Sequence, residues 1–415
     1  MRIMEDINPV DDIRATYGDE LKGRKILLIV TGSISAYKIP DLIRSLIRHG
    51  ADVYVLPSKE ALRFITIDTL NWASGGNVIE RFSYKAEHIY LLKKIDLVFV
   101  VPATANIIAK SSYGIADTDT SLALNSAFGY GKKIIYAPVM HLNMYRNPMI
   151  IEAIKRLKRL GAEFIEPKIE EEKAKLPDID YLKMRVIYSL HEKPLKGYRI
   201  LVTAGPTLEY IDPVRIITNK SSGKMGVYIA EAAYLMGGDV TLVAGRISVK
   251  PFKDIETKYV ESTEEMYRVV LDELSRGIDI FISASAPVDY KPSRQYIEKL
   301  DTREFERLDL ELILTPKIVS EARRRYPDIY IASFKALYNV DDSEMERKAL
   351  EYMERYGFDM VIANDVSRSG VGFESDYNEI LVIGRNGRKI FKKRDLKTRL
   401  ARDILKAILN DISTG

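Results

Sequence analysis

The chain of 415 residues contains no cysteine, which excludes disulfides, thiolate zinc sites and a cysteine nucleophile. Histidine is nearly as scarce: four residues, scattered at His49, His88, His141 and His191, do not form the spacing of a histidine-rich metal centre. No apolar run approaches the roughly 18 residues of a membrane-spanning helix, and the N-terminus lacks an apolar signal region. Net charge is also small, since 63 basic and 59 acidic residues leave only +4. The two signs are interspersed, so no nucleic-acid footprint is expected. What remains, 46% hydrophobic and 29% charged, is the composition of a soluble globular protein, expected in the cytoplasm. The length exceeds one ordinary core and predicts two domains.

Hydrophobic patterning gives those domains an architecture. Residues 1–22 are polar and irregular and are expected to form a surface extension. "KILLIVTG" predicts a buried strand ending at Gly32, "SISAYKIPDLIRSLIRHG" a helix stopping at Gly50, and "ADVYVLPS" the next strand, which together make a βαβ unit. "KKIDLVFVVPATAN" and "GKKIIYAPVM" add buried strands that end in polar loops. The pattern restarts at "GYRILVTAGPT" and continues through "DVTLVAG", "IDIFISASAPVDY", "IYIASFKA" and "FDMVIANDVS". The expectation is an α/β protein of two doubly wound, Rossmann-like domains, 23–190 and 191–415, with sites outside the carboxyl ends of the strands. The charged stretch 167–197 reads as a flap and linker.

Three stretches of the first domain carry chemistry. "TGSISAYK" sets Gly32, Ser33 and Ser35 at a helix N-terminus, where free N–H groups favour a phosphate. Ile34 stands where a dinucleotide G-x-G-x-x-G motif needs its second glycine, so a mononucleotide suits the turn better, although a plain βα turn can carry the same residues. "PATAN" offers small residues that admit a flat ligand, with Thr104 and Asn106 as hydrogen-bonding groups. His88 opens an amphipathic helix, where a lone histidine serves either as a surface residue or as an acid or base near pH 7.

"GSISAYK", the histidine before "DLVFVVPATANIIAK", the "YGIADT" run and "APVMHLNMYRNP" together resemble the FMN-dependent cysteine decarboxylases, phosphopantothenoylcysteine decarboxylase in particular, over about residues 24–160. The resemblance implies a flavodoxin-like domain with FMN held by Gly32, Ser33, Ser35, Ser58, Pro102, Ala103, Thr104 and Asn106. It puts the family's catalytic histidine at His88. It also implies that the substrate carboxylate is held by the loop containing His141, Asn143 and Met144. In that chemistry the cysteinyl group is oxidised to a thioaldehyde, loses its carboxylate and is reduced again to 4′-phosphopantetheine. Two departures stand out: His141 occupies the place of a family asparagine, and the flap "EEEKAKLPD" has no cysteine to protonate the enethiolate.

In the second domain, "TNKSSGKMG" precedes a helix and supplies N–H, hydroxyl and ammonium donors from Ser221, Ser222, Gly223 and Lys224. It suits a phosphate, but it is not a Walker A loop, because Thr218 and Met225 stand at that motif's Gly and Ser/Thr positions. "TAGPTLEYIDPVRIITNKSSGKMG", "SASAPVDYKP" and "IANDVS…GVGFESDYNEI" resemble phosphopantothenate–cysteine ligase over about residues 197–405. The resemblance implies that CTP activates the carboxylate of phosphopantothenate and that cysteine attacks the acyl-cytidylate. Asn219 and Arg215 would bind that intermediate, and Lys299 would promote its conversion. Nucleotide contacts would come from Asp289, Lys299, Pro316, Lys317, Ile318, Val319, Phe334 and Lys348, with Mg²⁺ at the triphosphate and Asp289 its one candidate protein ligand.

Taken together, the two resemblances imply consecutive steps of coenzyme A synthesis in one chain, with phosphopantothenate, cysteine and CTP as substrates and neither nucleic acid nor membrane as partner. They also imply a homo-oligomer that combines ligase dimers with decarboxylase trimers. Two other readings of the first domain are a flavin prenyltransferase and a non-catalytic regulatory subunit; the attached ligase motifs and the retained His88 argue against them.

Overall fold

The computed structural model describes residue 8 and residues 10–301, 303 and 307–414. The chain divides between His191 and Glu192 into two compact units.

The first unit is built on five parallel strands: β1 (Lys25–Val30), β2 (Asp52–Pro57), β3 (Leu97–Ala103), β4 (Lys133–Pro138) and β5 (Glu163–Phe164). Their order is β2-β1-β3-β4-β5, the flavodoxin-like arrangement, which reverses direction between β1 and β3. Every residue of β3 and all but the first of β1 are buried, as continuous apolar runs covered on both faces require. The helix after β1 starts more tightly than the sequence suggests, with a 3₁₀ turn at Ile34–Lys38 before α1 (Ile39–Arg48). Pro40 sits in the first turn of α1, where no intrahelical N–H is needed. Leu42, Ile43, Leu46 and Ile47 form its buried face, each contributing roughly 1.5–3 kcal/mol. The other helices used below are α2 (Glu87–Lys94), α3 (Ala105–Ser112) and α4 (Ile179–Leu190).

Two expectations for this unit need correction. Residues 10–22, expected as a surface extension, pack onto the unit: Val10 and Leu21 are 1% and 0% exposed. The Arg14 guanidinium lies 2.8 Å from the Asp52 carboxylate, and the N–H groups of Ala15 and Leu21 bond to Ile47 and His49. The segment therefore covers the C-terminal end of α1, which would otherwise expose apolar surface; residues 1–7 and 9 lie outside the described residues. The stretch 167–197 is not all flap and linker either. Lys168–Glu170 and Lys173–Lys175 form a hairpin whose third strand is Met140–His141, and then α4 buries Leu182, Val186 and Ile187. The two-residue turn of the hairpin, Glu171-Glu172, has both φ angles positive (47° and 56°), the conformation that matches strand twist in tight hairpins.

The main sheet of the second unit has eight strands: β6 (Arg199–Pro206), β7 (Asp239–Ala244), β8 (Glu256–Tyr259), β9 (Ile280–Ala286), β10 (Tyr330–Leu337), β11 (Met360–Asp365), β12 (Tyr377–Ile383) and β13 (Lys389–Leu396). The order is β8-β7-β6-β9-β10-β11-β12-β13, with the reversal between β6 and β9. Pairings from β8 through β11 are parallel, and β12 and β13 add an antiparallel edge that the sequence reading did not foresee. Helix α5 (Lys224–Leu235) follows the glycine-rich turn. A Cβ on Gly226 would lie 2.6 Å from the Ala204 Cβ and 2.7 Å from the Thr203 carbonyl oxygen, so glycine is what lets α5 approach β6. Helix α6 (Asp342–Tyr356) and the closing helix α7 (Lys397–Thr414) complete the elements that reach the site.

Candidate active sites

In the first unit a cavity of about 440 Å³ opens outside the ends of β1 and β3, at the reversal point. Gly32, Ser33, Ser58, Thr104 and Asn106, which the resemblance assigns to the flavin, line it together with Lys110 and Met144. Buried Thr31 ties its walls together: the hydroxyl donates to the Pro102 carbonyl (2.7 Å) and accepts from the Thr104 N–H (3.2 Å). Pro102 and Ala103, expected to touch the ligand, do not line this cavity. They are buried in β3, and the Ala103 carbonyl accepts the Val139 N–H at 2.9 Å.

A second cavity, about 590 Å³, shares Ser33, Val139 and Met140 with the first and runs under the flap hairpin. Ser35 and His141 line it, as do Lys38, Lys168, Lys173 and Lys175. The acids at its wall are Glu170, Glu171 and Asp178, and the Lys175 ammonium is 2.8 Å from Glu171. The flap tip is pinned to the His141 loop by the Leu142 N–H donating to the Glu172 carbonyl at 2.8 Å. His141 caps the short helix Leu142–Tyr145: its Nδ1 accepts the Asn143 N–H at 3.4 Å, so the neutral ring carries its proton on Nε2. Asn143 thus reaches the site through its main chain, and it does not line either cavity.

His88 lines neither cavity; it sits near the start of α2, with its ring 5.4 Å from that of Phe82. Its Nδ1 is buried with no hydrogen-bond partner. A buried nitrogen left this way is costly unless another molecule supplies its partner.

In the second unit, a cavity of about 320 Å³ lies outside the ends of β9, β10 and β11. Ser221, Ser222, Gly223 and Lys224 form one wall, and Asp289, Pro316, Lys317, Ile318, Val319 and Phe334 form another, as expected. Asp289 is paired with the Lys317 ammonium at 2.5 Å. Burial opposes the charge of Lys317, but Asp289 outweighs it and holds the ammonium above its usual range. Asp289 is the only acid lining this cavity, and among the described residues no group of three or more His, Asp or Glu could hold a metal. A divalent ion here would depend mainly on ligand oxygens.

Four expected residues fall outside the cavity lining. The Asn219 amide donates both hydrogens to the carbonyls of Ala286 (3.1 Å) and Pro287 (3.0 Å), which leaves its oxygen as an acceptor at the cavity edge. Arg215 is bound to the fully buried Asp212 and, at 3.3 Å, to the Leu300 carbonyl. Burial opposes the Asp212 charge, yet N–H bonds from Val214, Arg215 and Leu300 hold its pKa down at about 2. Lys299 is exposed beside that anchor. Lys348 pairs with Glu344 at 3.3 Å, while Tyr352 and Tyr356, one and two turns further along α6, face the cavity instead. Sequence reasoning also missed Lys335 and Lys397. Lys335 lies 4.7 Å from the Tyr352 ring, and burial, reinforced by Lys317, holds its pKa below the usual range.

The first unit matches the family model described as Flavoprotein over residues 14–191. The second matches the DNA/pantothenate metabolism flavoprotein C-terminal domain over residues 195–412. The class is therefore a flavoprotein of two fused doubly wound units. A coenzyme A biosynthesis bifunctional protein of Thermococcus kodakarensis is 40% identical over 404 residues, 95% of this chain and 98% of the relative. One of Methanocaldococcus jannaschii is 36% identical over 410 residues, 98% and 99% of the two chains. The crystal structure of the C-terminal domain of such a protein is 30% identical, covers 54% of this chain and 100% of that one, and has a TM-score of 0.45. The chain belongs to the family of coenzyme A biosynthesis bifunctional proteins.

Proposed function

We propose that the second unit joins 4′-phosphopantothenate to cysteine at the expense of a nucleoside triphosphate, and that the first unit decarboxylates the product to 4′-phosphopantetheine. The observation that carries this reading is the pairing of a full-length family relationship with a crevice outside the carboxyl ends of the strands in each sheet.

In the ligase unit, the phosphopantothenate carboxylate attacks the α-phosphorus of CTP and pyrophosphate leaves. The cysteine amine then attacks the acyl carbon and CMP leaves. Lys224, Lys317 and the N–H groups after Gly223 counter phosphoryl charge. The Asn219 oxygen, fixed because both amide hydrogens are engaged, accepts a proton-bearing group such as the attacking amine. Mg²⁺ carried by the triphosphate screens the remaining charge, with Asp289 as its single available protein carboxylate.

The first unit fits a flavin nucleotide: hydroxyls of Ser33, Ser58 and Thr104, the Asn106 amide and the Lys110 ammonium face one cavity beside small residues. FMN, when bound, supplies the oxidising and reducing equivalents for a reaction with no net redox change. The substrate carboxylate sits under the flap, where the His141 Nε2–H donates to it and the flap lysines offset its charge. His88 serves as the base that assists oxidation of the cysteinyl group. The proton that replaces CO₂ comes from a nitrogen or oxygen acid, because the chain has no thiol.

The reading includes a cytoplasmic homo-oligomer of ligase dimers and decarboxylase trimers. Apolar side chains left in water support it: Leu312, Ile313 and Leu314 on one strand are 44%, 43% and 67% exposed, and Tyr84 and Tyr90 in the first unit are 94% and 65% exposed. The purified protein is expected to be yellow, to release pyrophosphate from phosphopantothenate, cysteine, Mg²⁺ and CTP, and to release CO₂ from phosphopantothenoylcysteine. A colourless protein that releases no CO₂ would remove the decarboxylase assignment. An absence of pyrophosphate with both CTP and ATP would remove the ligase.

A further inference from the structure

Lys397, the first residue of α7, is only 3% exposed, yet it lines the ligase cavity. Its ammonium donates to the carbonyls of Gly372 (2.7 Å) and Phe373 (3.1 Å), leaving one N–H for the cavity. Among the described residues no carboxylate forms an ion pair with it. The charges that face it are Lys224, from the glycine-rich turn, and Asp376, from the loop before β12. Asp376 is taken by the Lys224 ammonium at 2.7 Å, and Lys224 also donates to the Glu374 carbonyl at 2.7 Å. Two ammonium groups thus share one carboxylate, and an uncompensated positive charge is held in a desolvated wall. Carbonyl dipoles alone compensate a buried ion poorly.

We propose that Lys397 and Lys224 together hold a phosphoryl group of a ligase substrate. The inference rests on the ligase reading. It adds an anion-binding residue that lies 173 positions from Lys224 along the chain. A phosphoryl dianion placed between the two cations supplies the missing negative charge and takes the free N–H of Lys397. Two ligands could bring that group: the phosphomonoester of phosphopantothenate or the triphosphate. The wall is polar in the way such a group needs, since Ser221, Ser222 and Asn378 also line it.

Burial first, and Lys224 second, hold the Lys397 pKa down at about 8, with Asp376 opposing. Its ammonium is therefore only partly charged at pH 8, and anion binding draws a proton onto it. Affinity should fall as pH rises from 7 to 9. A phosphomonoester is already a dianion in that range, so it contributes no proton change of its own.

The test is titration calorimetry of CTP and of phosphopantothenate, separately, against the full-length wild type, Lys397→Met and Lys397→Arg, at pH 8 in two buffers of different ionisation enthalpy. One ligand is expected to bind Lys397→Met roughly tenfold to a hundredfold more weakly, to retain most affinity for Lys397→Arg, and to take up about half a proton only with wild type. Which ligand responds identifies the source of the phosphoryl group. Equal affinities for wild type and Lys397→Met overturn the inference while leaving the ligase reading intact. Should Lys397→Met fail to fold, Lys397→Gln takes its place, and affinity equal to wild type for both ligands overturns the proposal. Failure of wild type to bind either ligand overturns the ligase reading and this inference with it.

Discussion

Both sheets place a crevice outside the carboxyl ends of neighbouring strands, between β1 and β3 in the first unit and next to β9 in the second. The walls differ. In the second unit, many of the groups expected to meet phosphate and nucleotide, from Ser221 to Phe334, converge on one cavity from several segments, joined there by the unforeseen Lys335 and Lys397, while Asn219, Arg215, Lys299 and Lys348 stay outside its lining. In the first, two cavities share Ser33, Val139 and Met140 in their walls, and His88, whose buried Nδ1 has no hydrogen-bond partner, lines neither. A doubly wound sheet fixes where a ligand can sit. How much of the site one unit gathers depends on how far its loops reach across the sheet end, and here the ligase loops gather more of the expected groups into a single cavity.

The sharpest way to break this comparison is to remove His88. His88→Asn should lower CO₂ release from phosphopantothenoylcysteine by roughly 10² to 10⁴ while pyrophosphate release stays at the wild-type rate. A change in both rates would mean that the units are not independent sites. Asn219→Asp replaces two carbonyl-bonded N–H groups with a carboxylate facing carbonyl oxygens. It should slow pyrophosphate release by roughly a hundredfold and leave CO₂ release unaltered.

Gly226→Ala tests the packing beneath the ligase site. Overpacking against Ala204 and Thr203 should destabilise the second unit by roughly 1–3 kcal/mol. Trp72, the chain's single tryptophan, belongs to the first unit, so its emission should report an unchanged transition there while hydrogen exchange of β6 accelerates.

Asp212 gives the pH arm. Its pKa in the folded chain is about 2 against an ordinary value of 3.8, so its contribution is present above pH 4 and lost as pH falls through 2. Protection of residues 211–219 against hydrogen exchange should decline over that window in wild type, and Asp212→Asn should lack that decline. The smallest effect is expected from His141→Asn. An amide can donate to the carboxylate as Nε2–H does, so CO₂ release should change by less than about tenfold; complete loss would instead assign His141 chemistry particular to the imidazole.

Much of this architecture was legible because it is periodic or local. Buried parallel strands read as unbroken apolar runs, as in "KILLIV" and "LVFVV", and the turns after them hold Gly32, Thr104 and Ser221–Lys224 within a few residues of the strand or helix that positions them. The unseen parts lack such a signal. α4 was hidden by the charges around it, and the β12–β13 edge by alternating residues that no parallel pattern announces. The resemblance assigns Lys348, which shares a face of α6 with Tyr352 and Tyr356 but sits one and two turns before them; there it pairs with Glu344, and the tyrosines reach the cavity. Lys335 and Lys397 reach the site only because β10 ends and α7 begins beside it, a tertiary fact with no local motif.

The central claim is that each unit carries one complete chemical step, and mixing two disabled proteins tests it most directly. His88→Asn and Asn219→Asp, each alone, should release almost no labelled CO₂ from carboxyl-labelled cysteine supplied with phosphopantothenate, CTP and Mg²⁺. The mixture should recover it, because His88→Asn makes phosphopantothenoylcysteine and Asn219→Asp consumes it. A mixture of folded, flavin-loaded variants that stays silent would contradict the division of labour.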